Sequence, residues 1–216
     1  MLVKERMKHP VITVKPEQPI MDVLNMMKRE KIRRTPVVDN HGKLIGIVSE
    51  KDILNAGPSA ATSLSVWEIN YLLSKIKVED VMTHKVVTVH EDIPIEEAAY
   101  IMAVNKIGGL PVMREDGGIV GVITETDVFK ILLEMMGARE NGVRLTALVP
   151  EKVGVLAVIT EAIAKEKGNI IALGMFSGDE STNRILTIKV EGLTAEQLEA
   201  LVTPHVEKVT DVRTCC

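Results

Sequence analysis

The sequence predicts an α+β protein, in which two βαββα repeats form a pseudo-twofold module and a βαββαβ ferredoxin-like domain follows. Two observations carry the prediction. The stretch Gly46-Ile-Val-Ser49-Glu-Lys-Asp52 returns 75 positions later as Gly121-Val-Ile-Thr124-Glu-Thr-Asp127, and the same shift relates Pro36-Val37-Val38 to Pro111-Val112-Met113 and Val11 to Val14 to Val86 to Val89, without a gap. One supersecondary unit has been built twice, and like units bury their apolar faces against each other. After Gly137 the pattern changes, and alternating Val143, Leu145, Ala147 and Val149 open a strand that belongs to neither copy.

In the first copy, β-branched Val11 to Val14 reads as a strand, with Pro16 and Pro19 as turn punctuation. Ile20, Val23, Leu24 and Met27 recur at helical spacing on a helix that ends near Ile32. Thr35 to Val38 and Leu44 to Val48 are strands around a turn at Asp39 to Gly42, and Ser49 to Leu54 opens a second helix. The second copy repeats the plan with a strand at Val86 to Val89 and a helix carrying Ile95, Ala98, Ala99 and Met102 inward. Strands at Leu110 to Met113 and Ile119 to Ile123 follow. A helix from about Thr124 to Met136 then turns Val128, Ile131, Leu132 and Met135 to one side, and Gly137 suits its C-terminal cap.

Between the copies, Gly57, Pro58 and small polar residues mark a connection, and Ser65 and Glu68 have the spacing of a reciprocal helix cap. Trp67, Tyr71 and Leu72 share one side of that helix and are expected to pack on the domain or on another subunit, with packing within the chain the plainer reading. In the last third, a helix over about Val153 to Lys167 closes at Gly168-Asn169, strands at Ile170 to Phe176 and Arg184 to Val190 flank a polar loop, Thr194 and Gln197 cap a further helix, and Val206 to Val212 is the last strand. The chain thus divides into a first repeat (1–56), a helical connection (57–77), a second repeat (78–137), a polar linker (138–142) and a C-terminal domain (143–216).

Composition narrows the function. Aromatic residues are 2% of the chain, so the core is expected to be aliphatic, with eleven methionines as gap fillers. A net charge of −4 without a basic stripe argues against a nucleic-acid interface. No apolar run approaches the roughly 20 residues that cross a bilayer. The first ten residues carry charges where a signal peptide has its apolar region, so a cytoplasmic location is expected. Cys215 and Cys216, adjacent at the C-terminus, are spaced for neither a disulfide framework nor a metal site and read as a frayed tail. The five histidines form no His-x-x-x-His pair, no serine lies in a Gly-x-Ser-x-Gly elbow, and no phosphate loop ends in Gly-Lys-Ser or Gly-Lys-Thr. No nucleophile has a visible base, so neither catalysis nor a metal is expected.

Each copy ends its third strand with a hydroxyl three residues before a carboxylate, Ser49/Asp52 and Thr124/Asp127. A single such pair is an ordinary helix cap. Its recurrence, the strands beside it, and Gly46 and Gly121 just before it, where a missing side chain would admit a ring or sugar, point instead to a ligand. A hydroxyl at a helix N-terminus suits a phosphate oxygen, and an acceptor-only carboxylate suits the two hydroxyls of a ribose. Together they describe a nucleoside phosphate.

With the segments Pro36 to Asp39 and Pro111 to Arg114 and the strand starts Arg6 to Val14 and Val81 to Val89, these motifs make residues 1 to about 137 resemble a CBS-domain pair, or Bateman module. The resemblance implies a head-to-head pair with two clefts for AMP, ADP, ATP or related adenosine compounds as regulatory ligands. It assigns Asp52 and Asp127 to ribose hydroxyls, Ser49 and Thr124 to ribose or phosphate oxygens, and the backbone near Val11-Ile12 and Val86-Val87 to adenine, each strand completing the site of the opposite copy. Where the family places phosphate-binding cations, the first copy has Arg33-Arg34 and the second Gly108-Gly109. The Ser49/Asp52 cleft is therefore expected to hold phosphorylated ligands better, with the Thr124/Asp127 cleft weaker, empty or served by Lys8 or His9. The plainer reading of Arg33-Arg34 is a solvated helix end whose cations offset the dipole.

The last third resembles an ACT domain through Val149 to Leu156 and Gly168-Asn169-Ile170. Val153 stands where that family has proline and the turn lacks its aspartate, which favours assembly, most simply a homodimer, over amino-acid sensing. The whole arrangement is similar to the bacterial acetoin-utilisation proteins, which implies a regulator of acetoin or acetate metabolism acting on a target protein. The alternatives are an amino-acid-responsive or purely structural oligomeric scaffold, or an accessory subunit of a metabolic enzyme.

Overall fold

Helix α1 (Ile20–Arg29) forms where four apolar residues recur every three or four positions, and it buries all of them, Ile20, Val23, Leu24 and Met27. The structure, a computed structural model, describes residues 1–57 and 65–215. It divides into two units, Met1–Val128 and Phe129–Cys216.

In the first unit, β1 (Arg34–Val38) and β2 (Leu44–Ser49) form an antiparallel pair, and α2 (Glu50–Asn55) follows. Helices α3 (Val66–Leu73) and α4 (Val78–Val81) lead to the second copy, which comprises β3 (Val89–His90), α5 (Ile95–Asn105), β4 (Gly109–Met113), β5 (Ile119–Thr124) and α6 (Glu125–Met135). The repeat extends to the irregularities: the ladder shifts register between Val37 and Val38 in one copy and between Val112 and Met113 in the other. The first strand of each copy is shorter than expected. Val11 to Val14 is reduced to a parallel bridge between Val14 and Val37, and Val86 to Val89 to the two residues of β3.

The two copies exchange their leading segments. The N–H groups of Val3 and Lys4 donate to the carbonyls of Ile93 and Glu91 in the second copy, while those of Val78 and Glu79 donate to Gln18 and Pro16 in the first. Lys8 bridges Val122, and Thr83 bridges Ile47. Gly46 and Gly121 serve this exchange, which corrects the expectation that they admit a ligand. A Cβ at Gly46 would lie 2.5 Å from Met82 Sδ and 3.3 Å from the Thr83 carbonyl, and one at Gly121 would lie 2.5 Å from Met7 Sδ and 2.9 Å from the Lys8 carbonyl. The missing side chains admit the crossing chain.

The Ser65–Glu68 cap forms as expected, with the Ser65 N–H donating to Glu68 Oε2 at 2.8 Å. The expectation that Trp67, Tyr71 and Leu72 pack within the chain is overturned: Trp67 is 86% exposed and the other two are also exposed, while Leu73 packs on the core. In α6 only Ile131 of the expected apolar face is buried, with Leu132 and Met135 exposed. Part of the inter-copy connection, 58–64, lies outside the described residues. Among the described residues no helix is long and apolar enough to cross a membrane, and no group of His, Cys, Asp and Glu is arranged to hold a metal ion.

The second unit has the expected strand-helix-strand-strand-helix-strand order: β6 (Gly142–Pro150), α7 (Val155–Lys165), β7 (Asn169–Ser177), β8 (Asn183–Glu191), α8 (Ala195–Val202) and β9 (Lys208–Cys215). The sheet order β7-β8-β6-β9 is antiparallel throughout and places the first and third strands at the centre, as in a ferredoxin-like fold. Alternate residues of β6 and β8, Val143, Leu145, Ala147, Val149, Leu186, Ile188 and Val190, meet Ile159 and Ile163 of α7 and Leu198 and Val202 of α8. The buried hydrophobic residues of the described chain are all aliphatic. Cys215 is not frayed: it pairs with Gly142 at the end of β9, while Cys216 lies outside the described residues.

Candidate functional site

The crossing of the leading segments creates a cavity of about 540 Å³ in the first unit, within the roughly 300–1,000 Å³ typical of small-molecule sites. One wall is Lys8, Pro10 to Ile12 and Glu30 to Arg34 of the first copy; the other is Gly108, Val122, Thr124, Glu125 and Thr126 of the second. Two local features set the walls. Fully buried Thr35 donates its hydroxyl to the Ile12 carbonyl at 2.6 Å, fixing the segment Val11-Ile12 beside β1. Thr124 ends β5 and opens α6, with its N–H and hydroxyl both donating to Asp127 Oδ2, at 3.0 and 2.5 Å.

Of the residues expected at a site, the cavity brings together Val11, Ile12, Arg33, Arg34, Gly108 and Thr124. Asp127 does not line it; it is 7% exposed and lies behind Thr124 as its hydrogen-bond acceptor. Ser49 and Asp52 also lie off the cavity, locked in the corresponding cap: Ser49 Oγ donates to Asp52 Oδ2 at 2.6 Å and accepts from the Asp52 N–H at 3.2 Å. Val86 is half-buried, Val87 is exposed, and Gly109 is buried beside Arg34. By the repeat, these are the counterparts of the first set: Val86-Val87 stand for Val11-Ile12, Gly108-Gly109 for Arg33-Arg34, and Ser49 for Thr124. The expected pairing of Arg33-Arg34 with Ser49/Asp52 is thereby corrected, because the arginines share a cavity with Thr124. Lys8 joins them there, whereas His9 lines a separate open groove with Lys4, Glu91 and Arg114.

Electrostatically the cavity centres on Arg34. Burial pushes its guanidinium below the ordinary arginine value; Glu125 and Asp52 oppose that shift and Arg33 adds to it. A Cβ on Gly109 would lie 2.8 Å from Arg34 Nη1 and 3.2 Å from its Cδ, so Arg34 occupies space that a side chain at its own counterpart position would fill. The same repeat that gives two arginines in one copy must give two glycines in the other for this packing to exist. Lys8, Lys31, Arg33 and Arg34 bring four cations to the wall against Glu30 and Glu125. Such a surface attracts an anion, and Arg33 and Arg34 can each present a planar fork to phosphate.

Glu30, Lys31, Glu125 and Thr126 are wall residues that the motif reading did not single out. A signal for Glu125 was available, since Glu50 and Glu125 follow the hydroxyl in both copies. Their N–H groups bond equivalently, Glu50 to the Arg33 carbonyl at 2.9 Å and Glu125 to the Gly108 carbonyl at 3.3 Å.

Comparison with known proteins places this geometry. The family described as the CBS domain matches residues 3–59 and 78–134. The CBS-domain pair of MJ0100, solved with 5′-methylthioadenosine and S-adenosyl-L-methionine, is 31% identical with a TM-score of 0.52, covering 65% of this chain and 98% of that one. The protein CBSX2, solved in complex with AMP, is 29% identical with a TM-score of 0.52, over 62% of this chain and 97% of that one. A protein from Vibrio cholerae described as a putative acetoin utilization protein (AcuB) is 29% identical with a TM-score of 0.52, over 64% of this chain and 95% of that one.

Proposed function

Because the chain belongs to the CBS-domain family, we propose that it is a non-catalytic regulatory protein that senses adenosine nucleotides in the cavity between its two repeats. The observation that carries this reading is that one cavity of about 540 Å³ joins the backbone of Val11-Ile12, the hydroxyl of Thr124 and the guanidinium groups of Arg33 and Arg34. Adenine lies along Val11-Ile12, Thr124 meets the ribose or phosphate with Asp127 behind it fixing its hydroxyl, and the arginines take the phosphate. AMP, ADP and ATP all fit this chemistry. The adenosine compounds held by MJ0100 and CBSX2 support the class. Ser49 and Asp52, with Val86-Val87 and Gly108-Gly109, form the counterpart cleft, which lacks the arginines and is the weaker for phosphorylated ligands.

The second unit is read as an ACT domain, supported by its strand order, and as the assembly element of a homodimer. The division expected from the sequence, with repeats at 1–56 and 78–137, a connection at 57–77, a linker at 138–142 and a C-terminal domain at 143–216, is kept. Ligand binding shifts the balance between two arrangements of the repeats by its difference in affinity for them, and α6, which begins in the first unit and ends in the second, carries the change to the assembly and its target protein. The likeness to the Vibrio cholerae protein supports a role in acetoin or acetate metabolism, and the cytoplasmic location expected from the sequence is kept.

Thermal unfolding with adenosine, AMP, ADP, ATP and S-adenosylmethionine tests the reading. A ligand at 100 times its Kd stabilises the protein by about 2.7 kcal/mol, and a saturable rise in Tm is expected with at least one nucleotide. If no compound raises Tm or gives calorimetric heat, a structural scaffold replaces the sensor. Loss of oligomeric order on deleting 138–216, read by light scattering, is expected from the assembly role; unchanged order removes it.

A further inference from the structure

The cavity also contains a carboxylate that faces its main cation. A Cβ on Gly108 would lie 2.5 Å from Arg34 Nη2 and 2.8 Å from Glu125 Oε2, so guanidinium and carboxylate converge on the surface that this glycine leaves bare. Both side chains line the cavity. Arg34 is half-buried in the seam between the copies, with Gly109 against its Nη1, whereas Glu125 is exposed at the first position of α6 and can turn toward solvent. A carboxylate and a phosphate oxygen make the same charge-assisted contact with a guanidinium.

We propose that Glu125 is the resident counter-ion of this cavity, facing Arg34 across Gly108 and lowering the positive potential that an anionic ligand group meets, and so setting the ligand charge that the cavity selects. The inference rests on the adenosine reading of the same cavity and adds its charge rule. A phosphorylated ligand that binds Arg34 does so against the repulsion of the nearby Glu125 carboxylate. Uncharged adenosine, which does not need Arg34, is indifferent to that charge. Without the Glu125 charge, Lys8, Lys31, Arg33 and Arg34 face Glu30 alone among the charged groups of the wall. The repeat supplies an internal contrast: Glu50 is the counterpart of Glu125, but Gly109 stands at the counterpart position of Arg34, so the other cleft has the carboxylate and lacks the guanidinium. The module therefore has one anion-selecting cleft, and its selectivity is set by a residue outside the repeated hydroxyl-carboxylate pair.

Calorimetric titration of adenosine and AMP into the full chain, its Glu125→Gln variant and its Arg34→Gln variant, all at one ionic strength, tests the rule. Glu125→Gln is expected to tighten AMP binding about fivefold, the size of a partly exposed charge interaction, and to leave adenosine unchanged. Arg34→Gln is expected to weaken AMP binding toward the affinity of adenosine, with Arg33 and Lys8 still on the wall. Equal changes for adenosine and AMP in Glu125→Gln, or weaker AMP binding, overturn the inference while leaving the adenosine reading intact. Failure of both compounds to bind any of the three proteins removes the adenosine reading, and the charge rule falls with it.

Discussion

Replacing Gly121 and Gly46 by alanine, one at a time, tests whether the glycines exist to let the copies exchange their leading segments. The two sites are counterparts, yet their surroundings differ in one respect. At Gly46 the atom that crowds a new Cβ most is Met82 Sδ at 2.5 Å, and the nearest backbone atom is the Thr83 carbonyl oxygen at 3.3 Å. A thioether on an unbranched side chain can turn away, and the Thr83 oxygen at 3.3 Å is only slightly inside ordinary contact. At Gly121 the Lys8 carbonyl oxygen lies 2.9 Å away in addition to Met7 Sδ at 2.5 Å. That oxygen must retreat by about 0.5 Å to reach ordinary van der Waals contact at 3.4 Å, although it accepts from the Val122 N–H at 3.1 Å while the Lys8 N–H donates to Val122 at 2.9 Å. Overpacking that moves backbone costs about 1–3 kcal/mol, whereas replacing glycine by alanine in an accessible conformation gains about 0.4–1 kcal/mol from the unfolded state. The gain is common to both sites and cancels between them. Urea unfolding should therefore find Gly46→Ala within about 1 kcal/mol of the parent and Gly121→Ala lower by about 1–2 kcal/mol. Adding Met7→Ala to Gly121→Ala should recover only the thioether part of the loss. Equal costs at the two glycines, or a larger cost at Gly46, would refute the reasoning.

Three further outcomes follow from single contacts. Thr35→Val removes the 2.6 Å bond to the Ile12 carbonyl inside the core and is expected to cost about 1–2 kcal/mol while weakening AMP binding; stability loss with unaltered AMP affinity would show that Ile12 does not form part of the ligand wall. Ile159→Ala empties a fully buried position among β6, β8 and α7 and should lose about 2–5 kcal/mol in urea unfolding, against less than about 0.5 kcal/mol for Val153→Ala in the exposed turn before that helix; similar losses would displace Ile159 from the core. The N–H groups of Lys43 and His41 donate to Asp39 Oδ1, both at 2.9 Å, and hold its carboxyl below the ordinary aspartate value, with Lys43 the larger influence. Its contribution to stability is complete above the unfolded-state pKa of about 3.9 and is lost as pH falls through the depressed folded value. A carboxyl NMR titration should find its midpoint below 3.9, and a midpoint at or above that value would contradict the turn geometry.

Much of this fold was legible because its cues are local. The helical spacing of Ile20, Val23, Leu24 and Met27 requires a buried face, and the alternation of Val143, Leu145, Ala147 and Val149 requires a strand with one side in a core. Thr194 and Gln197 form the reciprocal cap their spacing predicts. The departures arise where the deciding contact lies far along the chain. Val11 to Val14 has strand-forming residues, but Pro10 and Pro16 remove donors at both ends of the segment; most of it stays out of a ladder and is available to line the cavity. Arg33 and Arg34 are nearer in sequence to Ser49 than to Thr124, and only the exchange of leading segments puts them with Thr124. Gly46 and Gly121 show that space was needed without showing what fills it. The spacing of Trp67, Tyr71 and Leu72 identifies a shared helix face but cannot supply something for that face to cover.

The central claim is that an adenosine nucleotide occupies the cavity joining the two copies, and mapping backbone amide NMR shifts during an AMP titration tests it most directly. The account predicts saturable shifts concentrated at Val11, Ile12, Arg34, Gly108, Thr124 and Glu125, with smaller changes at their counterparts Val86, Val87 and Ser49. Saturable shifts confined to residues outside that cavity, or none at millimolar AMP, would contradict it.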